Sequence, residues 1–249
     1  MHGWDYFWLV LAGIGGGLTG SVAGLASVVS YPALLAVGLP PVSANVSNTV
    51  ALVFSTVGSV AGSRPELTGQ RARARRLAVS ALLGGAVGAT LLLLTPSDQF
   101  AKVVPWLIGA ASLAVLLPRS RHDLPTVADT SAWELSLTVF VIAIYGGYFG
   151  AAAGVLLLAG LMIMTGESLP RSNAMKNLLL GLANAIAAVA FAVFGPVHWL
   201  AVLPLAAGFL IGGRTGPVVV RHAPTALLRI LISLAGLGLA VHLGLDAYN

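Results

Sequence analysis

One stretch in the second half of the chain carries amide and cationic side chains on a single helical face. It lies in an apolar run that covers about residues 172 to 194, with spacings of i, i+3, i+4, i+8 and i+11, at Asn173, Lys176, Asn177, Gly181 and Asn184. These spacings place side chains on one side of an α-helix. Amide N–H groups and an ammonium are hydrogen-bond donors. Such a face is suited to holding an anion.

A comparable but uncharged stripe lies in the first half, in the apolar run at about 43 to 62. Its members are all amides and hydroxyls, at Asn45, Asn48, Thr49, Ser55, Thr56 and Ser59. Single Ser or Thr residues in apolar helices usually bond back to their own backbone, which is our expectation for Ser59. We therefore predict Asn45 and Asn48 as the ligands from this half.

The sign of the charges inside the apolar runs decides what a site would hold. Lys176 and Arg214 lie within runs, whereas no Asp or Glu lies well inside any run. Donors without carboxylates predict an oxyanion site, not a site for a metal or an organic cation. The alternatives are that Lys176 snorkels to the interface, and that Arg214 bonds neighbouring carbonyls or lipid phosphate.

The composition predicts an all-α, polytopic membrane protein. Of 249 residues, 57% are hydrophobic and 8% are charged, where a soluble domain carries about 25% charged residues. Apolar runs long enough to span a bilayer cover about 7–38, 43–62, 77–95, 102–118, 133–164, 172–194, 199–220 and 225–245. Backbone groups in lipid must be satisfied within the protein, so these runs are helices. About 8 to 10 membrane segments are expected.

The first and fifth runs are predicted to be broken or re-entrant. Each is too long for one untilted helix across a core of roughly 30 Å. Each contains a glycine cluster, and the glycines predicted to present backbone N–H groups to the anion at half-helix N-termini are Gly20, Gly24, Gly150 and Gly154. Pro32 and the pair Pro40-Pro41 predict further breaks in the first half. The alternative is that the glycines only permit close helix packing.

The two halves of the chain resemble each other. Elements recur in the same order at offsets of 130 or 128 residues, pairing Gly20 with Gly150, Gly24 with Gly154, Gly38 with Gly166, Asn45 with Asn173 and Pro96 with Pro224. This order predicts a duplication, with a first transmembrane repeat at 1–118, a cytoplasmic connector at 119–132 and a second repeat at 133–249.

Basic residues predict that the two repeats are inverted. The loop after the second run holds five arginines, Arg64, Arg71, Arg73, Arg75 and Arg76, and its counterpart at 195–199 holds none. Short loops rich in Lys and Arg favour the cytoplasm. In the next pair of loops the order is reversed: the loop of the second half is the one richer in basic residues, with Arg221 and Arg229. Corresponding loops on opposite sides require inverted topology, and thus one broken run in each half.

Enzyme and cofactor chemistry is not expected. The sequence lacks the motifs of serine hydrolases, zinc proteases and P-loop proteins, has no cysteine, and spaces its five histidines far apart. We predict no catalytic residues, no metal site and no cofactor. The basic residues lie between apolar runs, where they set topology, so no nucleic-acid partner is expected.

Two segments carry a family resemblance. Residues 16–32 with 38–48, and residues 145–150 with 165–177, resemble the sulfite exporter TauE/SafE family of bacterial membrane transporters. The likeness covers nearly the whole chain. The family's Ala-Asn-x-Thr-type motif falls on Ala44, Asn45 and Ser47 in the first half. In the second half it falls on Ser172, Asn173 and Met175, where no hydroxyl follows the Asn.

The resemblance implies a multi-pass transporter of the bacterial inner membrane. Its expected substrates are sulfur oxyanions or organosulfonates, often moved outward, and its expected partners are that small anion and the lipid bilayer, with a homodimer as a candidate assembly. The preferred ligands are Asn45, Asn48, Asn173, Lys176 and Asn177. A non-transporting membrane scaffold or subunit and, further from the pattern, a divalent-metal transporter are the competing hypotheses.

Overall fold

A computed structural model describes residues 3–116, 131–222 and 225–248 of the chain. The described residues form eleven α-helices: α1 (Gly3–Ala23), α2 (Ala26–Ala36), α3 (Pro41–Gly62), α4 (Arg64–Leu67), α5 (Arg71–Leu94), α6 (Ser97–Leu116), α7 (Ala132–Tyr148), α8 (Ala153–Thr165), α9 (Leu169–Phe194), α10 (Trp199–His222) and α11 (Thr225–Tyr248). Within those ranges no strand is found.

The all-α, multi-pass membrane architecture is confirmed. Counting only the parts of the chain that the structure describes, five helices are long and apolar enough to cross a bilayer, namely α1, α3, α5, α9 and α10. Large apolar side chains cover the outer surface, as Leu94, Phe194 and Trp106 show, each at least 70% exposed. Exposed apolar surface on this scale is compatible with lipid as the surrounding solvent.

The first and fifth apolar runs are both broken, as predicted. The first divides into α1 and α2 at Gly24, whose φ is 77°, and the fifth divides into α7 and α8 at Gly150, whose φ is 74°. Glycine adopts this left-handed conformation without the steric penalty that a Cβ brings. The break at Pro40-Pro41 is also confirmed, because Pro40 caps α3 and Pro41 is its first residue.

The predicted break at Pro32 is wrong. Pro32 lies inside α2, which continues to Ala36. Proline lacks an N–H and costs one helical bond, but membrane helices tolerate this loss where neighbouring groups of the protein satisfy the backbone. Helix boundaries also differ from the apolar runs, since α5 begins at Arg71, ahead of the apolar run at 77–95. Hydropathy marks the part of a helix in lipid, and the helix continues beyond it.

The two halves pack in an equivalent pattern. Helix α1 packs on α10 and α7 packs on α5, while α3 contacts α10 and α9 contacts α5. Helices α3 and α9 contact each other, as do α6 and α11. Exchanging the halves reproduces this pattern. The inverted orientation in the membrane and the repeat boundaries stay predictions, and the connector predicted at 119–132 lies, except for its last two residues, outside the described residues.

The halves meet at the two breaks. Gly24 and Gly154 lie so close that a Cβ on either one would overlap the backbone of the other. This contact brings the start of α2 against the start of α8 at the centre of the molecule. The glycines therefore both permit the breaks and permit close packing, which joins the two hypotheses raised from the sequence.

Replacing Gly24 with alanine should strongly destabilise the fold. The substitution Gly24→Ala adds a methyl that overlaps Gly154 at a positive φ, and we expect a loss of more than about 2 kcal/mol. The matched control is Gly160→Ala, whose Cβ would meet its nearest atom at an ordinary 3.5 Å. Melting temperatures of the purified proteins in detergent measure both, and equal melting temperatures for the two variants would contradict the prediction.

Candidate functional site

A cavity of about 60 Å³ lies between the two halves. Helices α1, α2, α3 and α9 and the two glycine breaks contribute its described lining, which consists of Gly20, Ser21, Gly24, Ala26, Ser27, Leu52, Ser55, Thr56, Ser59, Gly150, Gly154, Lys176, Asn177, Leu180, Gly181 and Asn184. Six residues predicted from the sequence to bind an anion are among them: Gly20, Gly24, Gly150, Gly154, Lys176 and Asn177. Among the described lining residues none is Asp or Glu.

Two half-helix N-termini reach this cavity. Helix α2 starts at Ala26, beside Gly24, and α8 starts at Ala153, between the lining residues Gly150 and Gly154. No side chain caps either start at its N-cap residue, Leu25 or Ala152. The first N–H groups of a helix lack intrahelical partners and carry partial positive charge. The N–H groups of Val28, Ala153 and Val155 bond carbonyls of the preceding residues. Both starts therefore contribute the positive end of a helix dipole to the cavity wall.

Lys176 lies inside the protein, with 1% of its surface exposed. Its ammonium Nζ donates to the carbonyl oxygens of Gly20 at 3.0 Å and Ser21 at 3.4 Å. These carbonyls belong to the last turns of α1, the negative end of that helix. The snorkelling alternative is wrong, because the side chain contacts α1 and the cavity instead of extending to the interface.

Asn173 and Asn177 bind the same end of α1. The Nδ2 groups of Asn173 and Asn177 donate to the Ser21 carbonyl at 2.8 and 3.3 Å, respectively. In the other half, Asn45 Nδ2 donates to the carbonyl of Tyr148, the last residue of α7, at 2.9 Å. Asn45 and Asn173 are equivalent by the 128-residue offset. Each holds the end of the broken helix of the opposite half, and neither lines the cavity.

Asn48 does not line the cavity, but it bonds a residue that does. Its Nδ2 donates to Ser27 Oγ at 3.1 Å, and its Oδ1 accepts from Ser30 Oγ at 2.6 Å. Ser27 lies in the first turns of α2 and lines the cavity. Asn48 therefore positions a hydroxyl at the start of α2.

Arg214 is not brought together with the other predicted ligands. It lies on α10 with an exposed side chain and does not line the cavity. Helix α10 faces α1 and α3 through its small residues, as where Gly58 of α3 packs on the backbone of Leu210 and Arg214. The close helix contact leaves the Arg214 side chain on the outer surface.

The sequence did not single out several lining residues as ligands. Ser21 and Ser27 flank the break at Gly24, and that position was the available signal. The hydroxyl groups of α3 belong to the polar stripe predicted from the sequence, but they were not among the predicted ligands. Ser59 Oγ donates to the Thr56 carbonyl at 3.2 Å, so the predicted backbone bond is confirmed. Leu52 and Leu180 could not be separated by sequence from the other apolar residues of their helices.

The family model described as sulfite exporter TauE/SafE matches residues 9–243. The chain belongs to the sulfite exporter TauE/SafE family. Its curated relatives are named as probable membrane transporters. They include ORF9 of Sinorhizobium sp., 23% identical over 96% of this chain and 92% of the relative, and YfcA of Escherichia coli K12, 23% identical over 94% and 87%. A Haemophilus influenzae relative is 24% identical over 85% and 84%. No solved structure matches the chain significantly.

Membership in the TauE/SafE family agrees with the five spanning helices: this is a multi-pass bacterial membrane protein, and its relatives' names describe transporters. The names of the relatives state no substrate.

An ion-pair cluster joins Glu167, which lies between α8 and α9, to the first turns of α5 and α9. Glu167 Oε1 accepts from Arg73 Nη1 at 3.0 Å, and its Oε2 accepts from Arg171 Nε at 2.7 Å. The hydrogen bond from Arg171, followed by that from Arg73, lowers the pKa of the Glu167 carboxyl. Arg73 belongs to the first half of the chain, so the cluster joins the two halves.

The stability of this cluster should depend on pH. Because the Glu167 pKa is lowered in the folded state, its contribution is complete above about pH 4.3, the unfolded value, and is lost as pH falls through the folded pKa. At pH 7 we expect Glu167→Gln to be less stable than the parent by up to about 1 kcal/mol, since the pair is partly exposed. Melting temperatures measured in detergent from pH 7 to pH 3 should converge. A gap that stays constant over this range would contradict the prediction.

Proposed function

We propose that this TauE/SafE protein transports small sulfur-containing anions, sulfite or sulfonates, outward by alternating access around the central cavity. The observation that carries the proposal is the buried ammonium of Lys176 in a cavity that also receives the N-termini of α2 and α8, with no carboxylate among its described lining residues. Such a site between two packed repeats is typical of transporters whose halves move against each other.

The charge of the cavity favours an anion. An ammonium has one positive charge, and each helix N-terminus is equivalent to about half a charge. Lys176 and the two N-termini therefore contribute positive charge at the cavity, partly offset by the negative end of α1 that Lys176 contacts. This potential matches a monovalent or divalent oxyanion and opposes a metal ion or an organic cation.

The size and lining of the cavity favour a small oxyanion. A volume of about 60 Å³ would hold roughly four waters at about 10–15 Å³ each, which is the scale of an ion with three or four oxygens. Hydroxyl and amide groups of Ser27, Ser55 and Asn177 offer neutral donors. Leu52 and Leu180 supply an apolar wall that the organic group of a sulfonate can contact.

Binding at this site would alter how the halves are joined. Without an anion, Lys176 donates to carbonyls of α1, which lies in the opposite half. An oxyanion offers a charged acceptor and forms a stronger bond with the ammonium than a carbonyl does. Redirecting Lys176 towards the anion weakens one bond between the repeats. A differential contact of this kind is what a ligand needs to shift a conformational equilibrium.

Neutralising Lys176 should abolish anion binding and transport. We expect Lys176→Gln to remove the thermal stabilisation by sodium sulfite or sodium methanesulfonate, relative to sodium chloride at equal ionic strength, and to reduce sulfite flux in proteoliposomes to that of protein-free vesicles. Lys102→Gln is the matched control, because Lys102 is an exposed lysine of α6 outside the cavity.

The melting temperature of ligand-free Lys176→Gln shows whether that variant is folded. Flux equal to the parent in folded Lys176→Gln would contradict the proposed site. Parent protein that neither binds nor moves any of these anions would favour the scaffold hypothesis instead.

A further inference from the structure

We infer that two gates of unequal chemistry close the cavity at opposite ends, an ionic gate of Glu167, Arg73 and Arg171, and an apolar gate of Leu39 and Ala201. The inference rests on the proposed function, because a gate is meaningful only if the two halves alternate access. It assigns to these residues control over entry to the cavity, as distinct from binding the anion.

Equivalent loops cover equivalent helix starts in the two halves. Arg171, near the start of α9, donates through Nη1 to the carbonyl of Thr68 at 3.3 Å. Ser43, near the start of α3, donates through Oγ to the carbonyl of Pro196 at 2.8 Å. Both the donors and the acceptors are 128 positions apart. The same contact therefore occurs twice, each time joining a loop of one half to a helix of the other.

A second pair of contacts is made by equivalent loop residues to acceptors that are not equivalent in position. Gln70 Nε2 donates to the Arg171 carbonyl at 3.3 Å, and the backbone N–H of His198 donates to Ser47 Oγ at 2.8 Å. Gln70 and His198 are again 128 positions apart. The loop from α3 to α5 thus closes over the start of α9, as the loop from α9 to α10 closes over the start of α3.

The two ends differ in the side chains that complete the closure. At the end near α9, Glu167 is bonded to Arg73 and Arg171. Positions 128 residues earlier than Glu167 and 128 residues later than Arg73 are Leu39 and Ala201. Both are buried, with 6% and 0% exposed, in one apolar cluster. Ion pairs at one end are replaced by apolar packing at the other.

The ionic gate lies over the cavity. Arg171 precedes Lys176 by five residues on α9, a distance of about 7.5 Å along the helix. Ser59, which also lines the cavity, lies near the end of α3, where the chain enters the covering loop. The pair of Arg73 and Glu167 joins the two halves at this end, so moving the halves apart here requires that pair to separate. This end is the one that the arginine distribution predicts to be cytoplasmic.

The two gates should respond differently to salt. Partly exposed ion pairs weaken as salt screens their attraction, whereas apolar packing does not. Side-chain exposures of 33% for Arg73 and 23% for Glu167 place their pair within reach of this screening. High salt should therefore loosen the ionic end alone.

Thiol accessibility tests the inference without any substrate. The chain has no cysteine, so Ser59→Cys introduces a single thiol into the cavity lining. We expect Glu167→Gln and Arg73→Gln to raise the rate of its labelling by a membrane-impermeant maleimide, applied from the α9-start face in oriented vesicles, by about two- to fivefold. The double variant should label no faster than Glu167→Gln alone, because Glu167→Gln already removes the ion pair that Arg73→Gln removes.

Arg75→Gln is the matched control, since it removes an exposed charge from the same helix. Raising sodium chloride to 1 M should accelerate labelling in the Ser59→Cys parent and leave Glu167→Gln unchanged. Leu39→Ala should instead raise labelling from the opposite face, without salt dependence. Ser55→Cys serves as a second reporter if Ser59→Cys does not fold.

Equal labelling in Glu167→Gln and its parent, or an equal rise in Arg75→Gln, would overturn the ionic gate. An increase specific to Glu167→Gln and Arg73→Gln, together with no flux of sulfite or methanesulfonate through the parent, would support the gate and reject the proposed substrate class.

Discussion

Backbone groups released where a membrane helix is interrupted must find partners inside the protein, because lipid supplies none. The breaks at Gly24 and Gly150 release carbonyls at the ends of α1 and α7 and N–H groups at the starts of α2 and α8. Side chains from the opposite half meet the carbonyls, with Asn173 and Lys176 on α1 and Asn45 on α7. At the starts of α2 and α8, the N–H groups of Val28, Ala153 and Val155 donate to carbonyls within or next to the breaks. The cavity thus lies where side chains and turn carbonyls together satisfy the two breaks.

Sequence patterns predicted the parts of this arrangement that depend on one helix. Glycine clusters within overlong apolar runs located both breaks, and helical spacing placed Lys176 and Asn177 on one face. What lies opposite a face depends on tertiary packing, which spacing does not encode. For that reason Asn45 and Asn173 were expected at the anion and instead hold helix ends, while Arg214 lies on the outer surface. Pro32 failed as a break because proline limits a helix only where the released group stays unpaired.

Positions that the predicted duplication relates to each other carry different chemistry in the two halves. The equivalent of Lys176 is Asn48, which bonds Ser27 and Ser30 and carries no charge. The equivalent of Thr56 is Asn184, and both line the cavity. The cavity is therefore built from matched backbone elements but has its single described cation on one side, so an anion inside it experiences an asymmetric field.

The crossing of Gly24 and Gly154 joins the halves through bare main chain at the centre of the molecule. Interlocked side chains resist relative motion, since sliding them requires changes of rotamer and transient voids in a close-packed interior. Neither glycine has a side chain whose rotamer would have to change for one half to slide past the other. The two halves therefore meet at this point without any side-chain interlock.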